Sequence, residues 1–173
     1  IMIGYPDNDF DTTLTHLIHN VKIHNNTFYN VHASAFPVYF LAKGTDGSTI
    51  DMRNNIVYTT EATGKFLLVN DQATTMTKTI DYNSYNMDIA AAWSNDGVTY
   101  ATFLLWQVPG FDANGKSGDP LLTGVVTSTP DGAQTTDGSL VREVGEDLSG
   151  TFTDSFTGRK RPATWDIGAY QHF

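Results

Sequence analysis

Three residues, His24, Arg53 and Asp81, place an imidazole, a guanidinium and a carboxylate at nearly equal intervals along the chain. Side chains alternate between the two faces of a strand, so strands stacked at this spacing would bring all three into one exposed column. They are our candidate catalytic residues, although the column holds no complete acid–base or metal constellation. The alternative is structural, because Lys22–Asp51 and Arg53–Asp81 would then be cross-strand charge pairs worth about 0.2–1 kcal/mol each.

Three aspartates at alternate positions, Asp7, Asp9 and Asp11, begin like an EF-hand calcium loop. That loop needs Gly at its sixth position and Glu at its twelfth, and here these positions hold Thr12 and Ile18. The EF-hand interpretation therefore fails. Two interpretations stay open, a looser Ca²⁺ site and a solvated turn.

Three aromatic residues, Trp93, Tyr100 and Trp106, are the candidate substrate-binding residues, because flat ring faces suit the C–H surfaces of sugars. They lie in a stretch that is rich in aromatic and turn residues. The alternative is that they are buried beneath a cap.

A repeat with a period of about 28 to 29 residues supplies the elements that would position these side chains. Asn26, Asn55 and Asn83 mark it, within the similar segments 21–28, 50–57 and 78–85. Self-similarity at this period, carried by short strands, predicts a β-solenoid whose layers bury each other's apolar faces. The same alignment predicts two inward columns, which are Ile23, Met52 and Ile80, and Phe28, Val57 and Tyr85.

The repeated asparagines predict two further features. We expect them in left-handed backbone geometry at the turns, and we expect their amides to hydrogen-bond from one layer to the next. A fainter pair of segments, 38–41 and 66–69, predicts another set of strands, in which Val38 is aligned with Phe66. Helix-forming patterns are scarce, and only residues 99–108 predict a short helix.

Composition excludes several classes of protein. The 173 residues carry a formal net charge of −9, which repels phosphate backbones and argues against nucleic acid as a partner. There is no cysteine for a disulfide or a thiolate zinc site. Apolar runs are far shorter than the ~20 residues of a membrane helix, so no membrane span is predicted.

Residues 20 to 171 resemble right-handed parallel β-helix proteins of the pectate-lyase-like superfamily. The repeat resembles their coils, and the segments 102–107, 111–114 and 118–121 resemble the stretch after the last coils in bacterial members. Residues 165–171, Trp-Asp-Ile-Gly-Ala-Tyr-Gln, are similar to their C-terminal closing segment. The sequence departs from the family at Leu140, where Pro is common, and at Leu122, where an aromatic residue is common.

The resemblance implies the fold class, an all-β right-handed parallel β-helix with an irregular C-terminal cap. Residues 1–86 would be the last coils and residues 87–173 the capping segment of a longer chain. Enzymes of this superfamily bind polysaccharide along an outer sheet and abstract a proton near bound calcium. Arg53 could resemble the proton-abstracting base and Asp81 or Asp51 a Ca²⁺ ligand, but no catalytic motif of the family matches these positions, so no catalytic role is carried over.

Two hypotheses of function follow. The first is the C-terminal, mainly structural part of a secreted or cell-surface bacterial protein that acts on a polysaccharide, as a lyase or a glycoside hydrolase. The alternative is a non-catalytic surface, adhesive or filament-forming protein. The segment before Val21 has no polar closing sequence, so we expect upstream coils or another copy to cover that edge.

Overall fold

The computed structural model describes residues 2–3, 20–29, 38–42, 49–59, 67–71, 77–87, 93–95, 97–124 and 130–172. One α-helix, α1 (Phe103–Gln107), and one 3₁₀ helix (Pro130–Ala133) accompany the strands in this part of the chain. The strands are β1 (Met2–Ile3), β2 (Val21–His24), β3 (Thr27–Tyr29), β4 (Val38–Ala42), β5 (Thr49–Arg53), β6 (Ile56–Thr59), β7 (Leu67–Asp71), β8 (Thr77–Asp81), β9 (Ser84–Met87), β10 (Trp93–Asn95), β11 (Val98–Tyr100) and β12 (Lys116–Ser117).

The strands form three sheets, in the orders β2-β5-β8, β12-β9-β6-β3 and β1-β4-β7-β10-β11. Every pairing between neighbours is parallel except the one between β10 and β11. Ile23 pairs with Met52, and Met52 pairs with Ile80, so the predicted alignment of the three repeated segments is confirmed.

The predicted fold class, an all-β right-handed parallel β-helix, is wrong. The sheets mix parallel with antiparallel pairing, they are open rather than closed, and a helix comes after the last long strands. The repeat carried the prediction, but after β9 the chain forms a hairpin and helix α1 before one more strand, β12, pairs parallel with β9.

The antiparallel pairing comes from a hairpin between β10 and β11. Asn95 pairs with Val98, which leaves the two residues Asp-Gly between the strands. Asp-Gly is a favoured sequence for two-residue hairpin loops, which need positive φ, and Gly97 has φ +78°. This signal was present in the sequence and contradicts an unbroken parallel coil.

The fainter pair of segments does form strands, but in a different register. Val38 pairs with Leu67 rather than with Phe66, so the separation is one residue longer than the sequence predicts. A shift of one residue matters because it exchanges the two faces of a strand.

The core lies between the sheets and follows the predicted columns. Ile23, Met52 and Ile80 are buried, and so are Val57 and Tyr85. Removing such a side chain from water stabilises the fold by about 1.5–3 kcal/mol. On β2, β5 and β8 the buried residues alternate with polar ones, so a single register buries Ile23, Met52 and Ile80 together.

Helix α1 confirms the short helix predicted within residues 99–108. Thr102 is its N-cap, and its hydroxyl accepts a hydrogen bond from the Leu105 N–H. Trp106 is buried in the core, whereas Leu104 is 72% exposed.

Candidate functional site

A ladder of side-chain amides runs through the turns after β2, β5 and β8. Asn55 Oδ1 accepts both the backbone N–H and the Nδ2–H of Asn26, each at 3.0 Å. Asn83 Oδ1 accepts the same two groups of Asn55, at 3.0 and 2.8 Å. The predicted hydrogen bonding of amides from layer to layer is therefore confirmed, and each rung donates in the same direction.

The predicted left-handed backbone lies one residue earlier than expected. Positive φ occurs at Asn25, Asn54 and Tyr82, each directly before a ladder asparagine. Asparagine tolerates this region better than most residues, which explains two of the three positions. The ladder asparagines thus contribute their amides, and their neighbours make the backbone turn.

The ladder ends on Asp112, a residue that spacing alone did not single out as a site. Asp112 Oδ1 accepts the backbone N–H of Asn83 at 3.1 Å and its Nδ2–H at 2.8 Å. Its Oδ2 accepts Tyr85 O–H at 2.7 Å and Trp106 Nε1–H at 2.8 Å. Asp112 lies 29 residues after Asn83, so extending the repeat by one period would have found it.

Burial dominates the electrostatics of this carboxylate. Asp112 is fully buried, and burial raises its pKa, although the donors on Trp106, Tyr85 and Asn83 favour the ionised form and oppose that shift. The pKa of Tyr85 is raised well above its ordinary value, by burial first and by the Asp112 charge second. Four N–H and O–H donors hydrogen-bond to this one carboxylate. Two of them belong to Asn83 of the ladder, one to Tyr85 of the core and one to Trp106 of α1.

The predicted column forms in register, because His24 pairs with Arg53 and Arg53 pairs with Asp81 along the sheet, but the side chain of Asp81 contacts partners different from those of His24 and Arg53. The guanidinium of Arg53 forms its ion pairs with Asp51 and Glu146 and not with Asp81, although Arg53 and Asp81 are register partners on β5 and β8. It makes a bidentate contact with Asp51 at 2.5 Å and a further contact with Glu146 at 2.7 Å. His24 Nε2 lies 3.1 Å from Asp51 Oδ2, and the His24 ring stacks on Phe152 with a centroid distance of 6.3 Å.

Asp81, the third member of the column, holds a different part of the chain. Its Oδ1 accepts the backbone N–H of Asn114, and its Oδ2 accepts the side-chain N–H of the same residue, both at 2.8 Å. The N–H of Tyr82 also donates to Asp81 Oδ1. Asp81 therefore shares the column with Arg53 and His24, but its carboxylate accepts hydrogen bonds from Tyr82 and Asn114.

The ion pair of Arg53 predicts a specific pH dependence. Burial raises the pKa of Asp51, but hydrogen bonds from Arg53 and His24 outweigh burial, and the pKa is lowered overall from 3.8. A carboxylate with a lowered folded-state pKa stabilises the fold above the unfolded-state value and loses that contribution as pH falls below it. We expect Asp51→Asn to destabilise the protein at neutral pH, and the difference from wild type to shrink as pH falls below about 3.8.

Urea unfolding at a series of pH values measures that difference. Asp154→Asn is the matched control, because Asp154 is exposed and its carboxylate accepts from the neighbouring Thr153 hydroxyl. A constant difference between wild type and Asp51→Asn across the whole series would contradict the assignment.

The three candidate sugar-binding aromatics lie in the core. Trp93 and Trp106 are 5% and 0% exposed. Tyr100 is half-buried and meets Trp106 edge-on at 5.4 Å. Their ring faces contact other aromatic rings, among them Phe111, which stacks on Trp106 at 4.4 Å. These rings therefore pack the cap, which was the alternative interpretation.

The closing segment docks on the turns that carry the ladder. Asn25 Nδ2 donates to the carbonyl oxygens of Asp166 and Gly168, and the Gly168 N–H donates to the Asn54 carbonyl. Asn54 also exchanges two 2.8 Å hydrogen bonds with the backbone of Glu146. The motif that carried the family resemblance thus fastens the end of the chain to the turns after β2 and β5.

Calcium does not fit the carboxylates that the resemblance suggested for it. Ca²⁺ takes six to eight oxygen ligands, but Asp51 faces a guanidinium and an imidazole, and Asp81 faces N–H donors. No group of three or more candidate ligands occurs among the residues that the structure describes. The candidate ligands Asp7, Asp9 and Asp11 lie outside those residues.

Comparison with protein-family models, with curated proteins and with solved structures found no match to this chain. Within the described part of the chain, no helix is long and apolar enough to cross a membrane. The pectate-lyase-like resemblance therefore stays a prediction from the sequence.

Proposed function

We propose that this chain is a structural, non-catalytic module of a secreted carbohydrate-active protein. Its role is to end a stack of parallel strands and to fasten the chain's last segment along their side. The pectate-lyase-like resemblance supports the carbohydrate context. The assignment of a structural role depends on one observation, namely that the candidate catalytic side chains are engaged in holding the later part of the chain.

Arg53 provides most of the support for this role. Its guanidinium contacts two carboxylates, one on its own strand and one on Glu146, and its side chain is 21% exposed. Those two carboxylates raise the pKa of Arg53 above its already high ordinary value, with burial opposing the shift. A proton-abstracting base needs a lowered pKa and an open approach, and Arg53 meets neither condition.

The aromatic residues add a second reason. A sugar stacks on an open ring face, whereas the two candidate tryptophans have their rings buried against other aromatic side chains. Their contribution is burial and fixed packing, which a closing segment needs where a sheet edge would otherwise remain exposed.

We expect the purified chain to leave pectin, alginate and a neutral glucan uncut, as measured by the release of reducing ends and of unsaturated products. We also expect Arg53→Ala to lower the melting temperature, because it leaves Asp51 and Glu146 without their partner. Lys160→Ala is the control, since that cation is exposed.

Cleavage of any of these polymers that Arg53→Ala abolishes, without a change in melting temperature, would overturn the proposal. Affinity electrophoresis in gels that contain the same polymers tests the polysaccharide partner separately. Retardation without cleavage is the expected result, and equal mobility in all gels would remove polysaccharide as the partner.

A further inference from the structure

The amide ladder has a direction, and its two ends differ. Each ladder oxygen accepts two N–H groups from the layer on one side, so every rung needs donors from that side. Asp112 closes one end, because a carboxylate accepts and has no N–H to pass on. At the other end Asn26 Oδ1 accepts no hydrogen bond from any residue that the structure describes.

We propose that the β2–β3 edge is an interaction surface for a further extended polypeptide layer that carries an asparagine at the ladder position. The partner strand runs parallel to β2, and its asparagine donates the backbone N–H and the Nδ2–H to Asn26 Oδ1. Its local pattern is apolar-x-apolar-x-x-Asn-x-apolar, as in residues 21–28 and 50–57, and the third layer departs from it at Lys78.

Among the residues that the structure describes, an aromatic stack beside the ladder ends in the same direction. The rings of Tyr29 and Tyr58 are stacked at 5.1 Å with an interplanar angle of 7°. Tyr29 lies on β3, at the end of its sheet among the described strands, so its second ring face is directed away from Tyr58. An additional layer would extend the stack and the amide ladder together.

A second copy of this chain is a poor occupant. In head-to-tail contact it would bring its own last rung, Asp112, towards Asn26, and Asp112 has no side-chain N–H while its backbone N–H already donates to the Ile80 carbonyl. In a two-fold contact the two Asn26 Oδ1 acceptors would face each other. Because Asn26 Oδ1 needs N–H donors, the ladder favours a strand with an asparagine at this position over a second copy of the chain as the partner.

A fluorescent peptide with the sequence of residues 49–59, TIDMRNNIVYT, is the probe, and the full chain is the receptor. We expect saturable binding by fluorescence anisotropy. A peptide whose second asparagine is replaced by aspartate should bind at least about tenfold more weakly, because it loses the Nδ2–H and sets a carboxylate against an acceptor.

Variants of the protein provide the complementary test. Asn26→Ala should weaken binding of the parent peptide to a similar degree, whereas Gln134→Ala, which removes another exposed amide, should leave it unchanged. Circular dichroism checks that both variants are folded.

Three results would overturn the proposal. The first is equal binding of the asparagine and aspartate peptides, and the second is no binding of either peptide up to about 1 mM. The third is a dimer of the chain alone, seen by sedimentation and abolished by Asn26→Ala, which would make a second copy the occupant.

Discussion

Replacing Asp112 by alanine is expected to cost more than about 3 kcal/mol of unfolding free energy, a loss that places it among the most destabilising single substitutions in this protein. The change leaves four buried donors without their acceptor, which are the Asn83 N–H and Nδ2–H, the Tyr85 hydroxyl and the Trp106 indole N–H. Each unsatisfied buried donor costs about 1–3 kcal/mol, and partial relaxation keeps the total below their sum.

Asp112→Asn separates the contribution of Oδ1, which accepts from Asn83, from that of Oδ2, which accepts from Tyr85 and Trp106. The asparagine keeps an oxygen for Asn83 but turns an N–H towards the Trp106 indole N–H, so we expect a loss smaller than that of the alanine variant. Combining Asp112→Asn with Trp106→Phe removes the opposing donor. We therefore expect the double variant to lose less unfolding free energy than the sum of the losses of the two single variants.

Urea unfolding measures all of these variants, with Asp154→Ala as the exposed control. A loss for Asp112→Ala no larger than that of Asp154→Ala would show that the ladder does not depend on its terminal acceptor.

Gly168→Ala is expected to cost about 2–4 kcal/mol of unfolding free energy. The φ of Gly168 is +104°, a conformation that disfavours alanine by about 1 kcal/mol. A Cβ there would also lie 2.6 Å from Ile56 Cδ1 and 3.1 Å from Thr27 Oγ1, and such overpacking costs about 1–3 kcal/mol.

Gly158→Ala isolates the backbone contribution, because Gly158 has φ +76° and open space around its Cβ position. We expect it to cost about 1 kcal/mol. Ile56→Val removes the closest carbon, so Gly168→Ala should cost less in that background than in wild type. Equal losses at the two glycines, measured by thermal and urea unfolding, would show that close packing against β6 is unimportant.

The sequence predicted the parallel register of β2, β5 and β8, because apolar columns and three asparagines repeat together and only one register satisfies all of them. It did not predict the fold class correctly, since the repeat does not describe the antiparallel hairpin and the helix that follow β9. There the hairpin at Gly97 and helix α1 depend on local turn and capping chemistry.

The candidate site was harder to predict for a physical reason. Alternation along a strand tells which side chains point away from the buried columns, as it did for His24, Arg53 and Asp81. Whether such a side chain meets water or another segment depends on contacts across the chain. Arg53 meets Glu146, 93 residues away, and no spacing rule indicates such a contact.

The one-way ladder has a consequence for how this chain could change in evolution. Asn26, Asn55 and Asn83 each donate an Nδ2–H to the next layer, and Asn55 and Asn83 accept the Nδ2–H of the preceding layer on Oδ1. An internal duplication or deletion of one whole period therefore leaves both ends of the ladder chemically unaltered. Asp112 would still terminate it. A gain or loss of fewer residues would instead shift the rungs out of alignment, so inherited length changes in this region should come in steps of 28 or 29 residues.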